Sequence, residues 1–161
     1  MVVLQVGLSL EAINWIMGCI NSPNFAVLEN CEPTSFFKKI RGLRQGYSLS
    51  PLLFLFIIES LSKVIHKVKR DRNIQGVNIT KLIKITHFLF IDDVILFGDG
   101  SVSNWRTYHS ILDIFCKATN MLISGTKYYF LEYEMDEDVI REIHILFPYE
   151  VKSLDEVFKY L

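Results

Sequence analysis

Two adjacent carboxylates, Asp92 and Asp93, are the residues of this chain whose types and spacing best suit catalysis. Segments rich in Phe, Leu, Ile and Val flank the pair at 87–91 and 94–97, and two bare charges are too costly to bury in such surroundings. The pair must therefore reach solvent at a turn or bind a cation. Mg²⁺ prefers carboxylate oxygens, and a two-metal site activates an attacking hydroxyl and stabilises a leaving oxygen. The alternative is an ordinary Asp-Asp turn, since aspartate favours turns.

A second candidate site is the loop at 41–46, which has the sequence RGLRQG. The guanidinium groups of Arg41 and Arg44 suit a phosphate or a base, and the glycines allow close backbone approach. No Gly-Lys-Ser/Thr ending follows, so the loop is not a P-loop. A basic surface loop without a ligand is the alternative.

The hydrophobic pattern predicts the elements that must position these two sites. Apolar residues three and four apart predict helices at about 4–20, 51–68, 105–118 and 136–147. Short strands are predicted at 25–28 and 36–40, joined by a turn through 30–33, and a buried hairpin at 87–97 carries the two aspartates. Ser50 is predicted to cap the second helix directly before Pro51. This order of elements fits an α+β domain of split-βαβ character.

The charge of the chain is unevenly distributed. The 161 residues carry a formal net charge of −1, yet between Lys38 and Arg72 nine Lys or Arg residues occur with two acidic residues, a local excess of seven. A basic region of this kind suits phosphates, whose neutralisation supplies much of non-specific nucleic-acid affinity. A solvated helix face is the alternative.

Composition indicates a globular intracellular protein. Hydrophobic residues make up 50% of the chain, enough for the core of one domain, and no apolar run reaches the roughly 20 residues of a membrane helix. The N-terminal segment lacks a basic region and a small-residue cleavage site, so we expect a nuclear or cytoplasmic rather than a secreted protein. Cys19, Cys31 and Cys116 match no zinc spacing and are expected to be reduced thiols.

Considered together, the two candidate sites resemble signature motifs of reverse transcriptases from plant-type LINE (non-LTR) retrotransposons. Residues 41–54, RGLRQGYSLSPLLF, are similar to the family pattern RGLRQGDPLSPLLF, and residues 90–93, FIDD, are similar to its [F/Y]xDD hairpin. Segments at 15–37, 114–127 and 155–161 are similar to further family segments in the same order. The resemblance covers most of the chain, with 131–153 the least distinctive part.

The resemblance implies one truncated reverse transcriptase domain over residues 1–161. Residues 1–50 would form the helix and hairpin that lead to the RQG loop, 51–128 the palm with the FIDD hairpin, and 129–161 the start of the primer-grip region. The implied fold is α+β, a partial polymerase right-hand palm of split-βαβ or ferredoxin-like type. Part of the fingers would be present and the thumb would be missing.

The resemblance also implies roles for individual residues. Asp92 and Asp93 would bind two Mg²⁺ ions, and Lys127 would act as a general acid or phosphate contact when pyrophosphate leaves. The nucleotide and template surface would comprise Arg41, Arg44, Gln45, Gly46 and Ser50. The implied partners are an RNA template, a DNA primer and a deoxynucleoside triphosphate, with no membrane partner.

Departures from the family pattern predict an inactive chain. None of the acidic residues before Arg41 has the setting of the family's third carboxylate, which lies in a KAYD-like motif, and the upstream fingers are expected to be missing as well. Tyr47 and Ser48 replace the Asp and Pro of the family's RQGDPLSP sequence, which puts a bulky ring in place of a turn-forming acid. Ile91 stands where plant elements often have a smaller residue, and Ser124 stands where the family has asparagine.

Three functions stay open at the level of sequence. The first is a fragment of an RNA-directed DNA polymerase. The second is a non-catalytic nucleic-acid-binding remnant, such as the product of a pseudogene. The third is an unrelated metal-binding or interaction domain in which the Asp-Asp pair is a coincidence.

Overall fold

The computed structural model describes residues 9–38, 46, 48–90, 93–123 and 128–154 of the chain. These ranges contain four helices and ten short strands. The chain divides into two compact units, Met1–Ser60 and Leu61–Leu161. Among the described helices, none is long and apolar enough to cross a membrane.

Helix α1, Leu10–Asn21, belongs to the first unit and confirms the first predicted helix over its described part. Ser9 caps it, because the Oγ atom of Ser9 accepts a hydrogen bond from the backbone N–H of Ala12 at 3.2 Å. This bond satisfies one of the amide groups that a helix N-terminus leaves without an internal partner. The predicted residues before Ser9 lie outside the described part of the chain.

Helix α2, Ser50–Arg70, begins one residue earlier than the sequence predicts. Its first helical hydrogen bond runs from the N–H of Leu53 to the carbonyl of Leu49 at 3.0 Å. Since the capping residue is the one whose carbonyl accepts that bond, Leu49 occupies the cap position. The prediction that Ser50 is the cap is therefore wrong, and Ser50 is the first helical residue.

Between these helices the chain forms a hairpin with an interruption. Its antiparallel pairs are β1 (Asn24–Phe25) with β4 (Phe37–Lys38), and β2 (Leu28–Glu29) with β3 (Glu32–Pro33). Asn30 and Cys31 have φ values of 52° and 68°, and two left-handed residues in succession reverse the chain as a type I′ turn does. The predicted hairpin is confirmed. The turn predicted through residues 30–33 is too wide, because residues 32 and 33 pair as β3.

The second unit holds the end of α2 and eight further elements. They are β5 (Val77–Asn78), β6 (Lys84–Ile85), β7 (His87–Phe90), β8 (Asp93–Leu96), α3 (Val102–Thr119), β9 (Tyr129–Glu132), α4 (Glu137–Leu146) and β10 (Glu150–Ser153). β5 pairs with β6 and β7 with β8, both antiparallel, whereas β9 and β10 pair in parallel. α4 connects the parallel pair, as a crossover between parallel strands requires.

The core of the second unit is built around Trp105 of α3. Its ring lies 5.4 Å from the ring of Tyr108, 5.0 Å from that of Phe130 and 6.1 Å from that of Phe147, with the two phenylalanines edge-on. Edge-on aromatic pairs add about 0.5–1.5 kcal/mol beyond the burial of their area. The buried core residues are Leu61, Ile65, Ile74, Trp105, Tyr108, Ile111, Phe130, Ile143 and Phe147.

The mixture of helices and strands confirms the coarse fold prediction. The helices predicted at 105–118 and 136–147 correspond to α3 and α4, and the hairpin predicted at 87–97 corresponds to β7 and β8. The sequence predicted neither the β5–β6 pair nor the parallel β9–β10 pair. The described strands form five separate two-stranded sheets, so the arrangement into a polymerase palm stays a prediction.

Candidate catalytic hairpin

The register of β7 and β8 defines the geometry around the Asp-Asp pair. Phe90 pairs with Asp93 and Leu89 with Val94, and the pairing continues to His87 with Leu96. Residues 91 and 92, which separate the strands in sequence, lie outside the described residues. Asp93 is therefore the first residue of β8 and follows the predicted metal ligand Asp92 directly.

The pleat of the hairpin separates a face that packs from a face that meets solvent. The half-buried side chains are His87, Leu89, Val94 and Leu96, and the exposed ones are Phe88, Phe90, Asp93 and Ile95. Val94 and Leu96 pack against the core of the second unit. Because successive side chains point to opposite faces, this packing places Asp93 on the solvent face. A slip of one residue in β8 would turn its carboxylate inward.

Tyr108 of α3 holds the base of the hairpin. Its hydroxyl lies 2.8 Å from the carbonyl oxygen of Thr86, just before β7, and 2.9 Å from that of Phe97, just after β8. The Thr86 carbonyl also accepts a hydrogen bond from the N–H of Phe97 at 2.8 Å. Burial, together with the charge of Asp99, raises the pKa of Tyr108 well above its usual range. The hydroxyl therefore keeps the proton that it donates to this pair of carbonyls.

A second anchor joins β7 to α2. The Oγ atom of Ser62 lies 2.8 Å from Nε2 of His87, and Nδ1 of the same ring lies 3.2 Å from Oγ1 of Thr86. The ring of His66 meets the His87 ring edge-on, with 5.0 Å between the centroids. With polar partners at both ring nitrogens, His87 is fixed in orientation, and β7 is held against the helix.

The segment before β5 is held against α3 in a similar way. The buried side-chain amide of Asn104 donates from Nδ2 to the carbonyl of Gln75 at 2.7 Å, and its Oδ1 accepts from the N–H of Gln75 at 3.1 Å. The next residue, Gly76, approaches the backbone of β6, where an added Cβ would lie 1.8 Å from the carbonyl oxygen of Ile85. Only glycine fits this contact.

Some of the predicted site residues have described positions. Gly46 is exposed, with φ at 76°, a left-handed conformation that glycine adopts without strain. Ser50 is half-buried at the start of α2. Both belong to the first unit, whereas Asp93 belongs to the second. The predicted site residues outside the described part of the chain are Arg41, Arg44, Gln45, Asp92 and Lys127.

The metal site stays a prediction. Asp93 is exposed at the start of β8, which leaves its carboxylate accessible to a cation. In the described part of the chain, no group of three His, Cys, Asp or Glu side chains gathers at one place. Cys19 and Cys31 are exposed and Cys116 is half-buried, and all three are free thiols.

The sequence did not reveal the residues that position the hairpin. Tyr108 lies three residues after Trp105 and three before Ile111, a spacing that predicts a core aromatic residue but not the partners of its hydroxyl. The only signal was a polar group at an otherwise apolar position. Such groups need a hydrogen-bond partner when they are buried.

With this geometry defined, comparison with known proteins identifies the class of the chain. Residues 7–136 match the family described as reverse transcriptase (RNA-dependent DNA polymerase), a span that includes both the 41–54 segment and the β7–β8 hairpin. The chain belongs to the reverse transcriptase family. The predicted family is thus confirmed, while the retrotransposon type is a finer assignment.

One curated relative comes from a plant. The chain is 35% identical over 65 residues to an uncharacterized mitochondrial protein of Arabidopsis thaliana. The matched stretch is 40% of this chain and 53% of that protein, so the match spans about half the length of the curated relative.

Proposed function

We propose that this chain is part of an RNA-directed DNA polymerase of a plant-type LINE (non-LTR) retrotransposon, in which Asp92 and Asp93 bind the catalytic Mg²⁺ ions. The observation that carries the proposal is the register of β7 and β8, with Asp93 at the start of β8 on the solvent face. Membership of the reverse transcriptase family supports the reaction class. The substrates proposed are an RNA template, a DNA primer and a deoxynucleoside triphosphate.

Different residues of the chain would have different roles in nucleotidyl transfer. When bound, two Mg²⁺ ions would favour attack by the primer 3′-hydroxyl on the α-phosphate and neutralise the leaving pyrophosphate. The role of the hairpin is to present carboxylates at a fixed place in solvent, and Tyr108 and the Ser62–His87 pair provide the rigidity. Lys127 is proposed to supply a proton or a positive charge to the leaving pyrophosphate.

The nucleotide and template surface is proposed to lie around the 41–46 loop and the start of α2. Guanidinium groups bind phosphates with two parallel hydrogen bonds, which suits Arg41 and Arg44 to the triphosphate or the template backbone. The left-handed Gly46 leaves open space where a Cβ would stand, so a ligand can approach the backbone closely. Gln45 and Ser50 are proposed to complete this surface with neutral hydrogen-bonding groups.

We also infer that these 161 residues alone do not catalyse nucleotidyl transfer. Two adjacent carboxylates supply part of the ligand set that two Mg²⁺ ions share, and no acidic residue of this sequence matches the family's third carboxylate. Tyr47 also stands where the family has an aspartate, a residue type that favours turns. By themselves, these 161 residues would bind nucleic acid without extending a primer.

Binding of Mn²⁺, a paramagnetic substitute for Mg²⁺, tests the metal proposal by electron paramagnetic resonance. We expect D92N/D93N to bind Mn²⁺ more than about 10-fold more weakly than the wild type, since even changes outside the ligand sphere reduce metal affinity by about 10- to 100-fold. The matched control is D71N/D136N, which removes two exposed carboxylates outside the hairpin. Equal binding by D92N/D93N and the wild type would refute the metal site.

A primer-extension assay with the same chain tests the inference of inactivity. We expect no extension of a DNA primer on an RNA template in the presence of Mg²⁺ and all four deoxynucleotides. Extension that D92N/D93N abolishes would show that the 161 residues are catalytically complete. That result would overturn the inactivity while strengthening the metal assignment.

A further inference from the structure

The second half of α2 carries a row of exposed basic side chains, of which His66 also contacts the His87 ring of the catalytic hairpin. Residues 61–70 contain no acidic residue, and Lys63, His66, Lys67 and Arg70 are exposed there. We name these four side chains the α2 stripe. Spacings of three and four residues place them on one side of the helix, one above another.

The opposite side of the same helical segment is buried. Leu61 is 2% exposed and Ile65 0%, and both belong to the core of the second unit. Since a helix of 3.6 residues per turn keeps one side inside and one outside, the core contacts of these residues turn the α2 stripe toward solvent. The orientation of the stripe is thus fixed by packing.

The cations of the α2 stripe have no acidic partner in the described part of the chain. The ion pairs found there join other residues: Arg106 with Glu142, Lys117 with Asp113, Arg141 with Asp138, and Lys152 with Glu150. Lys69, outside the stripe, donates to the carbonyl of Lys84 at 2.7 Å and so serves the fold. Lys63, Lys67 and Arg70 instead place three like charges side by side, an arrangement that favours a polyanion.

The spacing of the stripe matches a nucleic-acid backbone. Lys63 and Arg70 are seven residues apart, which is about 10 Å along a helix axis. One nucleic-acid strand presents a phosphate about every 3.4 Å of its axis, so four successive phosphates span about 10 Å. Long lysine and arginine side chains adjust to the remaining difference.

The stripe and the proposed reaction site lie on opposite sides of β7. α2 contacts the half-buried face of the hairpin through Ser62 and His87, whose side chains are 2.8 Å apart. Asp93 and Phe90 lie on the exposed face. A strand that contacts the stripe is therefore a different segment from the one at the carboxylates.

We propose that the α2 stripe is a second, sequence-independent binding surface for the phosphate backbone of a nucleic-acid strand, separate from the strand at the reaction site. The choice of nucleic acid as the partner rests on the proposed polymerase function. The surface would hold template RNA away from the hairpin and thereby keep the chain on its template. Because it reads charge alone, it would bind all sequences with similar affinity.

The salt dependence of RNA binding tests this surface. The full chain and K63A/K67A/R70A are titrated against a fluorescein-labelled single-stranded RNA oligonucleotide, and affinity is followed by fluorescence anisotropy. Each phosphate contact on a single strand contributes about 0.7 to the slope of log K against log salt, so three lost contacts should reduce the slope by about 2. Between about 50 and 200 mM salt, wild-type affinity should fall roughly 20-fold more than that of the variant.

Two further variants separate the surface from net charge and from folding. R106A/K117A/R141A removes the same number of positive charges from exposed ion pairs of the second unit, and we expect it to keep the wild-type slope. K63R/K67R/R70K keeps every charge and is expected to bind RNA as the wild type does. The proposal is wrong if the slope of log K against log salt falls as much for R106A/K117A/R141A as for K63A/K67A/R70A. It is also wrong if K63A/K67A/R70A keeps the wild-type slope.

The remaining outcomes distinguish this surface from the proposed function. Binding of the stripe to vesicles of phosphatidylcholine and phosphatidylserine, without binding to RNA, would overturn the proposal in favour of an anionic membrane. If K63A/K67A/R70A binds RNA as the wild type does while D92N/D93N loses Mn²⁺ binding, this surface is wrong and the polymerase site stands. Absence of Mn²⁺ binding would count against the polymerase site whatever the stripe does.

Discussion

Replacing Tyr108 with phenylalanine removes one oxygen atom from the base of the catalytic hairpin and leaves the ring in the core. Tyr108 is 0% exposed, and its hydroxyl lies within 2.9 Å of the carbonyl oxygens of Thr86 and Phe97. In the variant, the Thr86 carbonyl keeps the N–H of Phe97 at 2.8 Å. The Phe97 carbonyl loses the hydroxyl and gains no donor from phenylalanine.

The size of the effect follows from this difference between the two carbonyls. Leaving a buried acceptor without a partner costs about 1–3 kcal/mol, and the Phe97 carbonyl falls in the lower part of that range because its hydrogen bond is part-buried. We therefore expect the free energy of unfolding to fall by about 1–2 kcal/mol. For a chain of this size 1 kcal/mol corresponds to about 2–4 °C in Tm, so Tm should fall by about 2–8 °C.

Circular dichroism on heating measures the change, and hydrogen exchange at the Phe97 amide shows whether the base of the hairpin opens more often. The matched control is Tyr133→Phe, because Tyr133 is 56% exposed and its hydroxyl can bond to water in both states. Surface changes stay within about 0.5 kcal/mol. A shift in Tm below about 1 °C for Tyr108→Phe, or an equal shift for the control, would therefore refute the stabilising role of the Tyr108 hydroxyl.

Two further predictions concern the same unit. Gly76→Ala should lower the free energy of unfolding in urea by about 3 kcal/mol or more, because the added Cβ would lie 1.8 Å from the Ile85 carbonyl oxygen. In the control Gly18→Ala, the added Cβ in α1 meets nothing within 4 Å, so that variant should be neutral or stabilising. Equal midpoints would contradict this reasoning. The raised pKa of Tyr108 predicts stability that is fully present below about pH 10 and declines as pH rises further, because the unfolded tyrosine ionises first. The decline should be steeper for the wild type than for Tyr108→Phe in urea titrations from neutral to alkaline pH, and equal slopes would count against it.

Local patterns predicted the hairpin and the helices of the second unit. Apolar segments on both sides of Asp92 and Asp93 are enough to predict β7 and β8, and the helical spacing of apolar residues is enough for α3 and α4. The bounds differ by a few residues at most. These elements follow from the sequence because neighbouring residues determine periodicity and turns.

The parallel pair of β9 and β10 was missed for the opposite reason. Each strand is only four residues long, and α4 separates them in the chain. Short segments of mixed polarity carry little strand signal by themselves. Their pairing depends on how α4, which connects them in the chain, packs in the fold. The local sequence pattern contains no information on that packing.

The sequence by itself determined the reverse transcriptase motifs and the carboxylate pair, because these are runs of adjacent residues. Only the tertiary structure decided what holds that pair in place. The Tyr108 hydroxyl reaches a carbonyl 22 residues away, Asn104 bonds to a backbone 29 residues away, and Ser62 meets a histidine 25 residues away. Such contacts form only when separate elements pack against one another, and the need of each buried polar group for a partner then selects the contact.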